Sequence, residues 1–354
     1  MNRLAYLMLG LLLCAQTSVF AQSGHESRAS GAEPTVIKMG TVISEREGVF
    51  PHHMLSTQKH LARQIEANTN GEVVLEVLGA DSISPREMAA AVAKGDVLQA
   101  ANLNTFFYPK VPELLIQSIP FLFTGAEHSR RFPMSEPAQW MARKIEEAYD
   151  VKALGFLLVA SDVAIGGVEP VKELSDFTGK VLNGSRDTDN MFDDVKPSRI
   201  EHIGFGAAAR GELVESDVEI TVGLVQNIDV QRWYERFEHV TLAQNYYNVY
   251  YTPIVNKDVW NGLTDRQREG IEAAMRDAEN AAVAYQHDSM MWAYQLGQSR
   301  GVQMRMQTDA ERRAWKAEFY PVITELAISS SSNRDETREM IEKIEDLVKD
   351  LEWR

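Results

Sequence analysis

The sequence predicts an α/β fold with two lobes and one long helix that spans both. Apolar strand patterns alternate with helical patterns along the chain, which favours mostly parallel sheets covered by helices on both faces. The length of 354 residues suits either two domains of ordinary size or an intertwined pair of lobes. An uninterrupted helical pattern from Thr264 to Arg300 could reach across both lobes, because an α-helix rises about 1.5 Å per residue.

The N-terminal segment that ends at Ala21 is typical of a secretory signal peptide. Arg3 precedes an apolar run that extends to Cys14, and Ala21 closes a small-residue cleavage site. A membrane span needs about 20 apolar residues, and this run is shorter. We therefore expect cleavage after Ala21 and a mature protein in the periplasm, with a retained membrane anchor as the alternative. Residues 22–35, rich in serine, glycine and alanine, are expected to form a flexible leader.

The single cysteine and the acidic composition each argue against a class of partner. Cys14 lies inside the signal segment, so the mature chain has no thiol for a disulfide or a thiolate metal site. Lipidation at Cys14 is disfavoured, because Leu13 rather than a small residue precedes it, yet the sequence leaves it open. The formal net charge of −15 at pH 7 argues against a nucleic-acid partner, since phosphate binding requires a basic surface.

Strand and helix patterns in the first third of the chain predict one α/β lobe. Ser84 and Pro85 indicate a helix start, because serine caps helices and proline suits the first helical position, and Gly95 indicates the helix end. The predicted elements are strand Val36–Met39, helix Pro51–Asn68, strand Val73–Leu78, helix Pro85–Lys94 and strand Val97–Leu103.

The later elements predict a second lobe and a return to the first. An apolar strand from Lys152 to Val159 should cross into the second lobe, and Thr264 with Gln267 forms a capping box at the start of the long helix. The other predicted elements are strands Lys180–Leu182, Ile200–Phe205, Val218–Val222 and Val240–Val255, and terminal helices Thr308–Ile328 and Asp335–Arg354. We assign residues 36–160 and 248–290 to lobe I, 161–247 and 291–340 to lobe II, and 341–354 to the end of the C-terminal helix.

The segment from Gly155 to Gly184 resembles the crossover between lobes in the solute-binding proteins of tripartite ATP-independent periplasmic (TRAP) transporters, also called the C4-dicarboxylate-binding family. The matching residues are Gly155, Phe156, Pro170, Val171, Asp176 and Gly179. The resemblance extends from Val36 to Gly301 and includes the Pro120–Phe123 signature, which we expect to be a buried aromatic turn. It implies a two-lobed periplasmic binding protein with a ligand cleft between the lobes. It also implies delivery of a small solute to a small and a large membrane permease subunit, without catalysis and without a cofactor.

The positions that bind the ligand in the resembled family carry different residues here. The two family arginines that clamp a ligand carboxylate fall on Asp162 and Asn183, and a family asparagine falls on Gly223. A ligand carboxylate about 4 Å from Asp162 would be repelled by about 4 kcal/mol at an effective dielectric near 20, which is about a thousandfold in affinity. These changes predict a small amine, amino alcohol or polyol as ligand. The alternative is an organic-acid receptor in which Arg186 restores the positive charge.

Four further residues complete the candidate ligand-binding set. Phe205 follows a strand at a turn that faces the cleft in the resembled family, and Trp233 falls on a cleft-side helix. Tyr247 belongs to a tyrosine-rich predicted strand that could pass the cleft, although most of its rings are expected in the core. Asn102 lies near the end of the third predicted strand of lobe I.

Motifs of other functional classes are weak or missing in this sequence. Residues 204–209 follow a strand as a dinucleotide fingerprint would, but no clear ribose-binding acid follows. His52, His53 and His60 lack a carboxylate at helical spacing, so we expect surface histidines and no metal site. No G-x-S-x-G motif and no P-loop occur. A periplasmic enzyme is therefore disfavoured, whereas a sensory receptor that signals to a membrane kinase stays open.

Overall fold

A computed structural model describes residues 33–42, 53–79, 83–104, 108–184 and 195–352. Its strands are β1 (Thr35–Thr41), β2 (Val73–Val77), β3 (Ala100–Asn104), β4 (Val151–Ala153), β5 (Leu157–Ala160), β6 (Val163–Gly167), β7 (Val181–Asn183), β8 (Arg199–Glu201), β9 (Ile220–Leu224), β10 (His239–Ala243), β11 (Val249–Asn256) and β12 (Gln303–Met306). Its α-helices are α1 (His53–Asn68), α2 (Pro85–Lys94), α3 (Ala126–Arg131), α4 (Glu136–Tyr149), α5 (Phe205–Ala209), α6 (Glu212–Glu215), α7 (Asn227–Val230), α8 (Lys257–Gly262), α9 (Asp265–Ser299), α10 (Asp309–Ser330) and α11 (Arg334–Glu352). The predicted signal peptide with Cys14, most of the leader, His52 and Arg186 lie outside the described residues.

The first sheet has the strand order β2-β1-β3-β11-β4, and β5 also pairs with β11. Strand β1 is parallel to β2 and β3, whereas β11 runs antiparallel to β3, β4 and β5. One face of this sheet buries Met39 and Val255 against Leu61 of α1 and Ile271 of α9. The other face buries Leu103 against α2 and α4, so the sheet is covered on both sides.

The second sheet has the strand order β12-β10-β6-β9-β7-β8. Strand β7 is parallel to β8 and β9, and β10 is parallel to β12, whereas β6 is antiparallel to both of its neighbours. The expected α/β class with two lobes is confirmed, but both sheets are mixed rather than mostly parallel. The chain enters the second sheet from the first through β6, and it returns to the first sheet through β11. Both of these strands are antiparallel to their neighbours.

Two crossover segments connect the sheets. Strand β5 of the first sheet continues through Ser161 and Asp162 into β6 of the second sheet, and β10 returns through residues 244–248 into β11. The predicted strand Lys152–Val159 is therefore divided into β4 and β5, and the prediction missed β6. Likewise, the predicted strand Val240–Val255 is divided into β10 and β11, because each half pairs in a different sheet.

Helix α9 contributes to the cores of both lobes, as the sequence predicted. It begins with the expected capping box, in which Thr264 and Gln267 exchange side-chain and backbone hydrogen bonds. Its first half packs Met275 with the core of the first sheet, and Ala293 lies in the core of the second sheet. No helix among the described residues has the length and apolar character needed to cross a membrane.

The last two helices also connect the lobes. Trp315 and Phe319 of α10 pack in the second lobe, whereas Ile323 later in the same helix joins the core of the first lobe together with Ile344 of α11. Pro321 lies between these two contacts. Helix α10 therefore begins on lobe II and ends on lobe I, while the predicted lobe boundaries stay a prediction.

The aromatic turn and the histidines can be compared with the sequence-based expectations. Phe121 and Phe123 of the Pro120–Phe123 segment are buried, as predicted. His53 contradicts the expectation of surface histidines, because it is only 1% exposed and its Nε2 lies 2.7 Å from the carbonyl oxygen of Val159. His60 is partly buried, and its Nε2 lies 2.6 Å from Oδ2 of Asp277 on α9. The helical periodicity placed both residues on α1 but gave no information about β5 and α9.

Candidate ligand-binding site

The carboxyl ends of the parallel strands of the two sheets meet at the crossover segments. Strand β5 runs in the same direction as β3, since both are antiparallel to β11, and it ends beside Asp162. On the other side of Asp162, Val163 of β6 pairs with Leu224 at the carboxyl end of β9. Ligands of open α/β sheets bind outside the carboxyl ends of the strands. The region around Asp162 is therefore the candidate site.

Asp162 connects the two crossover segments. It is 7% exposed, and its Oδ1 accepts hydrogen bonds from the Asn245 backbone N–H at 2.8 Å and from the Ser161 hydroxyl at 3.2 Å. Burial raises the pKa of Asp162, and this effect outweighs these two hydrogen bonds and a smaller influence of His287, which lower it. The carboxyl group thus has a structural role where the two crossover segments, residues 161–162 and 244–248, meet, in addition to its predicted role as a ligand contact. We call these two segments the hinge.

Two substitutions should separate these roles of Asp162. We expect Asp162→Ala to lower the free energy of unfolding by about 1–3 kcal/mol, because it leaves the partly buried Asn245 N–H without its acceptor. Asp162→Asn keeps an oxygen at that place, so its cost should be smaller. Urea unfolding at neutral pH measures both, with Asp288→Ala on the exposed face of α9 as the control. Equal costs for the two variants would contradict the hinge role.

Asn183 and Phe205 lie at the carboxyl edge of the second sheet. The Asn183 amide donates to the Thr221 hydroxyl at 3.4 Å, and its Oδ1 accepts from the Ile203 backbone N–H at 3.0 Å. Asn183 therefore orients the connection between β8 and α5, where Phe205 is 44% exposed. An aromatic ring that is exposed at this edge is available to form a wall of the cleft.

Gly223 lies near the end of β9, opposite Ala164 of β6. A Cβ atom there would lie 2.5 Å from Nδ2 of Asn227 and 3.3 Å from Cζ2 of Trp233, so no side chain fits without movement. Trp233 is 1% exposed, donates from Nε1 to Gln231 at 2.9 Å and packs edge-to-face on Phe237. Its ring is nearly inaccessible in this conformation, and its role as a ligand wall stays a prediction.

Tyr247 and Asn102 approach the site from the hinge and from lobe I. Tyr247 is half-buried and packs against the cores of both lobes, and burial raises the pKa of its hydroxyl to about 12. Asn102 pairs with Thr41 and Pro253 in the first sheet and is fully buried. Neither polar atom of its side chain has a hydrogen-bond partner among the described residues. Such a group costs about 1–3 kcal/mol and calls for a partner that the described part of the chain does not supply.

Two more carboxamides have buried atoms without a partner among the described residues, and the sequence analysis missed both. Gln58 of α1 is fully buried, and within the described residues neither of its amide atoms has a partner; the buried Nε2 of Gln226 is also unpaired there. Asn227 occupies the space above Gly223. Gln226 and Asn227 closely follow β9, which is a signal that a search of strand ends would have found. Gln58 gives no such signal, since glutamine is an ordinary helix residue.

The fold and this set of polar groups define a two-lobed α/β binding protein. Residues 51–330 match the family model of the bacterial extracellular solute-binding proteins, family 7. The chain belongs to this family, which confirms the TRAP-type resemblance of the sequence. In the family the proteins bind solutes in the periplasm.

Individual relatives agree with this assignment. The C4-dicarboxylate-binding periplasmic protein DctP of Rhodobacter capsulatus is 25% identical over 316 residues, which cover 84% of this chain and 87% of that protein. A TRAP periplasmic solute-binding protein from Desulfovibrio salexigens, solved with bound orotic acid, has a TM-score of 0.75 at 15% identity, covering 89% of this chain and 99% of its own. One from Chromohalobacter salexigens with bound D-glucuronate has a TM-score of 0.73 at 17% identity, covering 88% and 99%. These two structures support the fold.

Proposed function

We propose that this protein is a periplasmic receptor that binds a small amino alcohol or polyol between its lobes and delivers it to a TRAP permease. The observation that carries the proposal is the replacement of both clamping arginines, by Asp162 at the hinge and by Asn183 on β7. The described residues at these positions offer a carboxyl group and an amide, which accept hydrogen bonds from ammonium and hydroxyl groups.

Electrostatics at Asp162 favour a ligand without a carboxylate. When Asp162 is ionised, a second negative charge about 4 Å away is repelled by about 4 kcal/mol at an effective dielectric of about 20. Burial opposes the charged form of Asp162 as well, so a ligand carboxylate would add to a cost that the site already carries. An ammonium group at the same place would instead favour the charged form. Hydroxyl groups of a polyol carry no charge and avoid the repulsion.

The proposed role is binding and delivery rather than catalysis. Closure of the two lobes around the ligand, by bending at the crossover segments, would present the occupied form to the small and large permease subunits. Export would use the signal segment that ends at Ala21, with cleavage after that residue. Sequencing the N-terminus of the exported protein tests this last step.

A receptor for organic acids is the second candidate. Relatives provide the observation that favours it, since their names and bound ligands include C4-dicarboxylates, orotic acid and D-glucuronate. In this chain the positive charge would come from Arg186, which follows Asn183 by three positions and lies outside the described residues.

Thermal-shift measurements on the mature protein distinguish the two candidates. We expect ethanolamine or D-mannitol to raise the melting temperature by several degrees, since a ligand at 100 times its Kd adds about 2.7 kcal/mol. Succinate, malate and sialic acid should have little effect. A shift by ethanolamine should be lost in Asp162→Asn. A large shift by succinate that disappears in Arg186→Ala would contradict the proposal and support the organic-acid receptor.

A further inference from the structure

At Gly223, neighbouring side chains occupy the space that a side chain of its own would need. Its side of β9 is the side that carries Thr221, whose hydroxyl binds the Asn183 amide. On that side the volume of a side chain at position 223 is occupied by the Asn227 carboxamide, with Nδ2 at 2.5 Å and Cγ at 3.5 Å from an ideal Cβ. The indole of Trp233 closes the remaining space at 3.3 Å. Gly223 thus allows the amide of Asn227 to lie directly over the strand.

The Asn227 carboxamide has no hydrogen-bond partner within the described part of the chain. The residue is 9% exposed, and its backbone carbonyl is engaged by the Gln231 N–H. The neighbouring Gln226 is 6% exposed, and its Nε2 is unpaired as well. A buried amide nitrogen without a partner, such as Nε2 of Gln226, is rare in native proteins and costs about 1–3 kcal/mol. The unpaired Nε2 of Gln226, next to the Asn227 carboxamide at the end of β9, therefore points to a ligand or ordered solvent at this strand end.

Gln226 and Asn227 follow β9 at the edge of the second sheet where the candidate site lies. Gly223 is paired with Ala164 on β6, two residues after Asp162, and Leu224 pairs with Val163. Asn183 of the adjacent strand β7 lies on the same face, bound to Thr221. The carboxyl edge of the second sheet therefore offers a row of neutral amides that leads to the hinge.

We infer that Asn227 is a ligand-binding, specificity-determining residue, whose carboxamide uses the space over Gly223 to contact a hydroxyl group of the solute. The inference rests on the proposed function and refines its ligand class. A carboxamide presents a donor and an acceptor, and a hydroxyl group can satisfy both. A carboxylate accepts only, so it would leave Oδ1 of Asn227 unpaired.

Exchange of the amide between positions 223 and 227 tests the inference. Asn227→Ala removes the amide and should weaken binding of D-mannitol or ethanolamine about tenfold, since about 1.4 kcal/mol corresponds to a factor of ten. Gly223→Asn adds a second amide to an occupied space, so it should lower both the melting temperature and the affinity. The double variant restores one amide and should recover much of both. Asn280→Ala, on the exposed face of α9, is the control with unchanged binding.

The two readouts separate failure of the inference from failure of the proposed function. If neither D-mannitol nor ethanolamine binds the natural chain, the proposed ligand class is wrong. The melting temperatures of the variants without ligand then test whether positions 223 and 227 share one space. Rescue of Gly223→Asn by Asn227→Ala supports the shared space, whereas additive losses overturn it. Should succinate bind instead, its Kd is measured in the same variants. If Asn227→Ala binds the same compound as the natural chain with an unchanged Kd, the proposed contact between Asn227 and the solute is wrong.

Discussion

Glu279→Gln should make the protein more stable than the natural chain near pH 8 and leave it nearly unchanged near pH 5. Glu279 lies in the middle of α9, and its Oε1 accepts the Phe156 backbone N–H at 3.1 Å. Burial raises the pKa of Glu279 to about 7, against smaller opposing effects of this hydrogen bond and of Arg276. Glutamine keeps the acceptor and removes the charge.

The sign of this effect follows from proton binding. The native state holds a proton on Glu279 up to about pH 7, whereas the unfolded chain releases it near the ordinary glutamate pKa of 4.5. The stabilisation is therefore complete below that lower pKa and is lost as the pH rises through the native pKa. Allowing for the partial exposure of the side chain, we expect a difference of about 2 kcal/mol between the two ends.

Chemical unfolding across this pH range measures the difference. Glu272→Gln is the matched control, because it makes the same change of charge on the exposed face of α9. The natural chain and Glu279→Gln should differ increasingly with pH, while Glu272→Gln should run parallel to the natural chain. Parallel curves for all three proteins would show that Glu279 is ionised in the native state throughout.

Gly155→Ala should be the most destabilising small substitution near the crossover segments, at about 2–3 kcal/mol. A Cβ at Gly155 would collide with Oε1 of Glu279 and lie 3.1 Å from Cε of Met275. The carboxyl group can move away only by giving up the Phe156 N–H, which immediately precedes β5. The substitution therefore breaks the contact between the long helix and the strand that enters the hinge.

The coupling between these two positions gives a second readout. Once displaced from Phe156, the Glu279 side chain is closer to solvent, so the loss of stability with rising pH should largely disappear in Gly155→Ala. Gly262→Ala is the control, because no atom lies within 4 Å of a Cβ built there. If Gly155→Ala costs as little as this control, the contact with Glu279 is not tight. Guanidinium unfolding with a full pH series measures both effects.

Local signals in the sequence predicted the long helices well. Thr264 and Gln267 form the capping box that begins α9, and Pro85 starts α2 as expected. Both are interactions over three or four residues, which periodicity and capping rules describe. The family resemblance added the two-lobed arrangement and the position of the crossover, which composition and periodicity do not contain.

Strand β6 shows where such reasoning fails. Val163–Gly167 is short and entirely buried, and three of its five residues are glycine or alanine, so it has neither alternation nor strong strand propensity. It is a strand because β9 and β10 pair with it on both sides. Those partners lie far along the chain, and no local pattern indicates them.

The candidate site, too, could be predicted only in part from the sequence. Matching to the family located Asp162, Asn183 and Gly223 in the sequence, and the structure places them around one hinge. The matching did not indicate that Asp162 accepts the Asn245 N–H, nor that Asn227 fills the space over Gly223. Their roles in binding stay predictions that the ligand panel and the variants above address.

Local patterns and the family resemblance were enough to predict the class of fold, the order of most elements, the long helix and the family to which the chain belongs. The tertiary structure alone decided which groups share one space: Asp162 with Asn245, Asn227 with Gly223, and Glu279 with Gly155. Periodicity and caps depend on near neighbours along the chain, and they are visible in the sequence for that reason. Shared space depends on how strands pair and how α9 crosses them, and only the folded chain brings those segments together.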